Sequence, residues 1–317
     1  MNHLESAFTG KNSFWRYIVM IVAVLLASNT IGSIPLFIGY FIKSASNPEI
    51  TAKFAANPSD FSVLGFDPNV GLLLMVIPFV AALIAFILLV KPLHYRTFRL
   101  SINGTNSIRW KKFFISGIVW AILSGFYLII YLDYDPSNFV LNNQSVTLIY
   151  LIIIALTLIP FQATFEEVIF RGYLMQGFAV IARNRWFPIL MTSVLFALMH
   201  GLNPEIKEFG FWTMMPQYLV FALVFGVASI LDDGIEVAMG AHTANNIFLC
   251  IFVTNSASAI QTPALYIQKN VYPWTEFTGL LISSVIFIIV LAIIFKWKNF
   301  SLLWGKVNKE VEKDQIV

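Results

Sequence analysis

Five ionisable side chains interrupt long apolar stretches of this sequence, and four of the five are of types that enzymes use to move protons. Glu166 and Glu167 are adjacent, Arg171 follows closely, and His200 and His242 stand in or at the ends of later apolar runs. Ionisable groups are costly in an apolar environment, so each is by default a candidate functional residue. Glutamate and histidine are common general acids and bases, and these positions therefore indicate proton-transfer chemistry.

The spacing of the two glutamates separates them. Glu167 and Arg171 are related as i and i+4 with the acid first, which is the favourable order for an ion pair within a helix. At 3.6 residues per turn, Glu166 lies about 100° around the helix axis from Glu167. It has no basic residue three or four positions ahead. We interpret Glu167 and Arg171 as a pair and Glu166 as the carboxylate that is available as a general base.

Two later motifs repeat the one-turn spacing. His242 and Asn246 share a helix face in HTANN, and Phe196 lies one turn before His200 in FALMH. Taken singly, each has a structural explanation, either a polar contact between helices or an aromatic ring in the core. Taken together, the motifs have no common structural explanation. Structural pairing accounts for the Glu–Arg pair but does not account for Glu166 and the two histidines.

The composition determines which elements must hold these residues. Hydrophobic residues make up 58% of the 317 positions, charged residues make up 12%, and the mean hydropathy is +0.77. A typical soluble domain is about 25% charged. With half of that charge the chain cannot cover a globule with a solvated surface, which excludes a soluble enzyme and a disordered protein. We predict an integral membrane protein.

Apolar runs recur along the chain, many of them near the roughly 20 residues that a spanning helix needs. Continuous apolar character favours helices, because the strands of a membrane barrel would alternate apolar and polar residues. The sequence predicts an all-α polytopic transmembrane helical bundle of about eight spans. It forms one membrane domain over 1–317 with a catalytic core at about 146–254, an N-terminal tail at 1–13 and a C-terminal tail at 306–317. The runs are 14–42, 70–90, 113–131, 146–174, 187–200, 213–231, 237–254 and 277–295.

Basic residues in the short connections set the expected orientation. Six Lys and Arg residues lie between Lys91 and Lys112, and more follow the fourth and eighth runs, so both termini are expected to be cytoplasmic. The connection after the third run has Asp133 and Asp135 and no base, as expected outside. The net charge of +3 reflects these connections, and we expect no nucleic-acid partner. The single cysteine, Cys250, excludes an intrachain disulfide.

The order and spacing of the motifs resemble the three-motif signature of one membrane-protein family. This is the CPBP family, the CAAX-protease and bacteriocin-processing (Abi) intramembrane endopeptidases. No motif position departs from the pattern, and Gly172 also fits it. The matching residues, which extend over about a quarter of the chain, are Glu166, Glu167, Arg171, Phe196, His200, His242 and Asn246.

The resemblance implies hydrolysis of a peptide bond within the membrane. Glu166 would be the general base that takes a proton from water, and His200 would help to hold and polarise that water. His242 and Asn246 would stabilise the oxyanion, an effect worth about 3–4 kcal/mol per donor in soluble proteases. The supporting residues would be Glu167, Arg171 and Phe196.

No cofactor is favoured, but a divalent metal such as zinc stays open, because members of the family have been described both as metalloproteases and as metal-independent glutamate proteases. Two histidines and a glutamate form a known zinc set with a position left for water, and here they would be Glu166, His200 and His242. Using all three as ligands would leave Glu167 as the base, although it is paired with Arg171. We therefore favour metal-free activation of water.

The substrate and two other function classes stay open. The substrate would be a membrane-associated or prenylated CAAX-type protein or a leader peptide, in contact with the bilayer of a bacterial cell membrane. A catalytically idle family member could act instead as an immunity or scaffold protein. A proton-coupled transporter using Glu166, His200 and His242 as a relay would place protonatable residues along a path across the bilayer, whereas these residues form motifs near one site.

The depth of His200 poses a difficulty for eight simple spans. Glu166 and His242 would lie toward the cytoplasmic side, whereas His200 ends an outward-running span at the opposite depth. We expect a broken or re-entrant helix, or different span boundaries. Pro160 and Pro188 are the candidate breaks.

Overall fold

Helices occupy each of the apolar runs in the computed structural model, which describes residues 2–56, 61–142 and 145–309. The protein is an all-α helical bundle, as predicted, with one small sheet. The helices are α1 (Phe14–Ala27), α2 (Ile34–Ser46), α3 (Pro48–Ala56), α4 (Pro68–His94), α5 (Arg99–Ile102), α6 (Trp110–Tyr134), α7 (Ser145–Glu167), α8 (Met175–Ala182), α9 (Trp186–Met199), α10 (Pro204–Phe209), α11 (Phe211–Asp232), α12 (Glu236–Phe252) and α13 (Pro273–Phe295).

Six helical stretches in the described part of the chain are long and apolar enough to cross a membrane. Their outward faces expose large apolar side chains such as Leu88 and Ile293, as expected of surfaces in contact with lipid. The protein is thus an integral membrane protein. Two of the eight predicted runs form shorter helices, because α9 has 14 residues and α12 has 17. The six stretches are Phe14–Ser46, Pro68–His94, Trp110–Tyr134, Thr147–Ala182, Phe211–Asp232 and Pro273–Phe295.

Neither proline that was expected to break a helix does so. Pro160 lies inside α7, which continues past it, and Pro188 lies in the first turn of α9, where no backbone N–H is needed. The irregular backbone lies instead at Val168–Leu174, a π-helical stretch that joins α7 to α8 directly after Glu167. Such stretches are rare and often mark functional sites.

The length of α9 resolves the expected conflict in depth. The turn at 183–185 joins α8 to α9, and the two helices pack together. At 1.5 Å per residue, Glu166 lies about 24 Å before the end of α8, and His200 lies about 21 Å after the start of α9. The two residues therefore stand at similar depths, and no re-entrant segment is required. The error in the prediction was to treat α9 as a full span.

A three-stranded sheet closes one end of the bundle, which we call the sheet end. Its strands are β1 (Phe139–Leu141), β2 (Val253–Thr254) and β3 (Tyr266–Gln268), in the order β1-β3-β2. β1 is antiparallel to β3, with Phe139 opposite Gln268, and β2 is parallel to β3. The opposite end, called the basic end, holds the turn at 183–185 and the connection between α4 and α6.

The segment predicted as an N-terminal tail packs into the basic end instead. Residues from His3 to Ala7 are buried, and a 3₁₀-helix runs over Glu5–Thr9. Glu5 forms an ion pair of 2.7 Å with Arg185, and Nε2 of His3 lies 3.0 Å from the carbonyl oxygen of Arg171. A polar composition does not keep this segment in solvent, because its charged and polar groups find partners within the fold.

The residues before the C-terminus also pack against the turn at 183–185. The backbone N–H of Val307 donates to the carbonyl oxygen of Arg183 at 3.0 Å, and that of Arg185 donates to Gly305 at 3.1 Å. Val307 is buried. The remainder of the predicted C-terminal tail, 310–317, lies outside the described residues.

Close packing of α12 on α6 fixes the position of the histidine motif. A Cβ atom at Gly240 would overlap the carbonyl oxygen of Phe113, and it would lie 2.5 Å from Oγ of Ser116. Small residues allow helix backbones to approach in this way within membranes. His242 follows Gly240 by two residues, so this contact sets how α12 presents the imidazole to α7.

Candidate active site

The two glutamates at the end of α7 have different surroundings. Glu166 is partly exposed to the cavity described below, and its Oε1 accepts a hydrogen bond of 2.6 Å from Nε2 of Gln162 one turn earlier. Glu167 is completely buried. The helix rotation between neighbours thus leaves one carboxylate accessible and encloses the other.

Glu167 links Arg171 to His242. Its Oε1 accepts 2.8 Å from Nη1 of Arg171, which is the ion pair expected from the spacing, and 2.7 Å from Nδ1 of His242. Nη2 of Arg171 donates to the carbonyl oxygen of Ala222 at 3.2 Å, and the guanidinium carbon lies 4.5 Å from the ring centroid of Phe196. These contacts tie α7, α11 and α12 together around a buried charge pair.

His242 lies between the two carboxylates. Because a carboxylate oxygen only accepts, the contact with Glu167 places a proton on Nδ1 of the imidazole. Nε2 then faces Glu166, with 3.5 Å to its Oε2. The ring of Phe221 packs edge-on against the imidazole at a centroid distance of 5.2 Å. Glu167 therefore orients His242, and Phe221 shields one side of it.

A chain of amide side chains leads from Glu166 to Asn246. Nδ2 of Asn246 donates to Oε1 of Gln162 at 2.9 Å, and Nδ2 of Asn245 donates to Oδ1 of Asn246 at 3.0 Å. Trp120 completes the chain with a bond of 3.1 Å from its Nε1 to Asn245. The sequence analysis missed Gln162 and Asn245. Gln162 could have been found from its position one turn before Glu166 on the same helix face.

His200 reaches the site from the end of α9. Its Nδ1 lies 2.8 Å from the carbonyl oxygen of Phe196, so Nδ1 carries the proton and Nε2 is the acceptor. The imidazole stacks on Tyr218, with centroids 4.5 Å apart and planes 25° apart. No hydrogen bond joins it to Glu166 in the described ranges. Tyr218 was also missed by the sequence analysis, and no motif in the sequence marks it.

One cavity of about 570 Å³ brings the predicted residues together. It lies between α6, α7, α9, α11, α12 and α13 and extends to the small sheet. Most of its wall is apolar or aromatic. Five predicted residues line it, namely Glu166, Phe196, His200, His242 and Asn246. Glu167 and Arg171 are buried and contact His242 and Phe196 from outside its wall.

The predicted metal ligands do not form a ligand set as they are arranged. Among the residues that the structure describes, no group of three His, Cys, Asp or Glu side chains is placed to hold a metal ion. Nδ1 of His242 and Nδ1 of His200 are both committed to oxygen acceptors, and Nε2 of His242 faces Glu166.

Comparison with known proteins identifies the part of the chain that holds this site. Residues 146–248 match the family model described as type II CAAX prenyl endopeptidase, Rce1-like. They form an Rce1-like domain. The matched segment contains all seven motif residues and is consistent with the CPBP family predicted from them. At the level of the family, the match supports a CAAX-type intramembrane protease.

The similarity to one bacterial protein extends well beyond the Rce1-like domain. The chain is 29% identical over 288 residues to the uncharacterised protein YyaK of Bacillus subtilis, which covers 90% of this chain and 94% of that protein. No solved structure matches the chain. The helices outside the domain thus also have counterparts in this relative.

Proposed function

We propose that the protein is an intramembrane endopeptidase in which Glu166 activates water to hydrolyse a peptide bond of a membrane-associated protein or peptide. The observation that carries the proposal is the shared cavity, whose wall holds an accessible carboxylate and two oriented imidazoles. Glu166 has no Lys or Arg as a partner in the described part of the chain, whereas Glu167 is held by Arg171. An accessible carboxylate that no Lys or Arg neutralises can accept a proton.

The proposed reaction begins with the water molecule. Glu166 takes one of its protons, Gln162 holds the carboxylate in place, and Nε2 of His200 accepts a hydrogen bond from the O–H that remains. The oxygen of the water attacks the carbonyl carbon of the substrate, and the carbonyl oxygen becomes an oxyanion. Glu166 then delivers its proton to the leaving amine, and the C–N bond breaks.

Asn246 and His242 are the proposed oxyanion donors. Nδ2 of Asn246 is an amide donor, and Nε2 of His242 donates when the imidazole is protonated. That imidazolium would be balanced, because two carboxylates and one guanidinium are its charged neighbours and the net charge of the group would be zero. Preorganised donors of this kind typically contribute about 3–4 kcal/mol each.

The wider proposals follow from the fold and the family. The substrate would be a prenylated CAAX-type protein, another membrane-associated protein or a leader peptide. The protein would reside in a bacterial cell membrane with both termini, and hence the basic end, in the cytoplasm; the similarity to a Bacillus subtilis protein supports the first part. A catalytically idle immunity or scaffold protein is the alternative, and a transporter has less support because the protonatable groups share one cavity.

The test is cleavage of quenched fluorescent peptides, prenylated and unprenylated, by the full chain in proteoliposomes. Glu166→Gln is expected to lower kcat by about 10²–10⁴, the usual contribution of a general base. Glu49→Gln is the matched control, because Glu49 is exposed on α3 and its carboxylate forms a surface ion pair with Lys53. Dialysis against a chelator is expected to leave the rate unchanged. Cleavage that survives both Glu166→Gln and His200→Ala would show that the assigned site is wrong.

A further inference from the structure

A second carboxylate in the cavity wall has no part in the proposed reaction. Glu276 lies in the first turn of α13, outside the Rce1-like domain, and lines the same cavity as Glu166. The hydroxyl of Tyr127 donates to its Oε2 at 3.0 Å, and Nε2 of Gln268 donates to its Oε1 at 3.1 Å. Residues from α6, β3 and α13 thus hold this carboxylate in a fixed position.

Among the described residues, the three carboxylates that line the cavity, Glu166, Glu205 and Glu276, have no Lys or Arg beside them, unlike the carboxylates buried elsewhere in the fold. Within the described ranges, Glu5, Glu167, Asp232 and Glu236 each form an ion pair with Arg or Lys, and Glu276 forms none. Its two neighbours are neutral donors. A carboxylate enclosed in a membrane protein is costly without a partner of opposite charge, which suggests that a partner is supplied from outside the protein.

The charge of the whole cavity agrees with a cationic occupant. Its described lining includes three carboxylates, Glu166, Glu205 and Glu276, neither Lys nor Arg, and two histidines, His200 and His242. The carboxylates therefore leave a negative charge even when His242 is protonated. Apolar walls of low dielectric strengthen the attraction of such carboxylates for a positive group and the repulsion of a negative one. A substrate segment in this cavity should therefore carry a positive group and no free carboxylate.

The distance from Glu276 to the reaction centre can be estimated along α6. Trp120 contacts Asn245 at the reaction centre, and Tyr127 contacts Glu276 two turns later. At 1.5 Å per residue the two levels are about 10 Å apart. An extended peptide covers that distance in about three residues. The free carboxylate of a C-a-a-X tripeptide would stand about as far from the cleaved bond.

We propose that Glu276 is a specificity-determining residue that binds a Lys or Arg side chain of the substrate about three residues from the scissile bond. Tyr127 and Gln268 position its carboxylate. The proposal rests on the function proposed above and narrows its substrate class. Membrane-associated segments with a basic residue about three positions from the cleaved bond are preferred, and chains that end in a free carboxylate three residues from the bond are disfavoured.

The test measures binding, so that it does not depend on cleavage. Lipid-anchored peptides carry Lys, norleucine or Glu three residues before or after a central bond, and their affinities for the Glu166→Gln protein in nanodiscs are compared. Lys is expected to bind about tenfold tighter than norleucine at one of the two positions, as for a hydrogen bond to a charged group. Adding Glu276→Gln is expected to abolish that difference, and adding Glu49→Gln is expected to leave it intact.

The outcomes separate this proposal from the proposed function. Equal affinity for Lys and norleucine, or a preference that survives Glu276→Gln, overturns the cation site even if the wild-type protein cleaves peptides. A Lys preference that depends on Glu276 in a protein that cleaves nothing supports the site and contradicts the protease. If the Gln variant is unstable, Glu276→Lys provides the test, because it is expected to favour the Glu peptide over the Lys peptide. In the wild-type protein, the Lys peptide is expected to have a lower KM than the norleucine peptide and a similar kcat.

Discussion

Glu166 and Glu167 are neighbours in the chain, but their side chains have different contacts. Glu167 binds Arg171 and His242 in a fully buried cluster, whereas Glu166 contacts Gln162 and lies at the cavity. A buried ion pair is sensitive to the loss of one partner, because the other charge is left without compensation. Substitutions of the two glutamates should therefore have different effects on the stability of the protein.

Glu167→Gln is expected to destabilise the protein strongly, because it leaves the Arg171 guanidinium buried without a counter-charge. Breaking a buried pair costs about 3–5 kcal/mol. Glu166→Gln keeps the hydrogen-bonding shape and is expected to change the free energy of unfolding by less than about 1 kcal/mol, within the range of ordinary substitutions. Thermal unfolding in detergent measures both. Equal stability of the two variants would contradict the assignment of Glu167 and Arg171 as the structural pair.

At the scale of single residues, the sequence predicted which side chains form the candidate site. It predicted contacts between them only where both residues lie on one helix. The pairing of Glu167 with Arg171 follows from helix geometry, because both lie on one element. The contacts of Glu167 with His242 and of Gln162 with Asn246 join residues far apart in the chain, and no periodicity encodes them. The stacking of Tyr218 on His200 depends likewise on how α11 packs against α9.

At the scale of the helices, apolar character predicted where they lie in the sequence but not how long each one is. Hydropathy located the helices, because burial in lipid requires continuous apolar runs. It could not show that α9 has only 14 residues or that the π-helical stretch Val168–Leu174 follows the glutamates. Both features depend on packing between helices, which hydropathy does not report.

Gly240→Ala tests the contact that positions α12. The added Cβ overlaps the Phe113 carbonyl, so α12 should move away from α6 and carry His242 with it. Overpacking of this kind typically costs about 1–3 kcal/mol, and kcat is expected to fall as well. Gly71→Ala is the matched control, since a Cβ at Gly71 meets open space and alanine is the better helix former by about 1 kcal/mol. Stability and activity equal to wild type in Gly240→Ala would disprove the close packing.

At the scale of the whole molecule, the basic end is where distant parts of the chain meet. His3 contacts the carbonyl oxygen of Arg171, and Glu5 pairs with Arg185. The N-terminal segment thus braces the far end of the helix that holds the glutamates. Composition marked this segment as polar and hence exposed. Its burial depends on partners more than 160 positions away, which no local pattern reveals.

The stability of the protein is expected to fall in mild acid because of His3. Burial disfavours the charged imidazole and lowers the pKa of His3 below 6.5, although the Arg171 carbonyl and Asp233 act in the opposite direction. The unfolded chain then binds the proton more readily, so the contribution of His3 is complete above about pH 6.5 and is lost as the pH falls below it.

This pH dependence can be measured by comparing unfolding temperatures at pH 7.5 and pH 5.5. His3→Gln keeps a donor for the Arg171 carbonyl and removes the titration, so the drop in unfolding temperature is expected to be smaller than in wild type. An identical drop in both proteins would mean that His3 does not titrate against folding.

The turn at 183–185 also bears on how the protein is made. Glu5 reaches this turn from one direction, and Gly305 and Val307 reach it from the other. On a ribosome Glu5 emerges before the helices described here and Gly305 and Val307 emerge after α13, so the turn between α8 and α9 gains these two backbone contacts only after α13 has been translated. The brace at this turn therefore forms later than the α8–α9 pair that it supports.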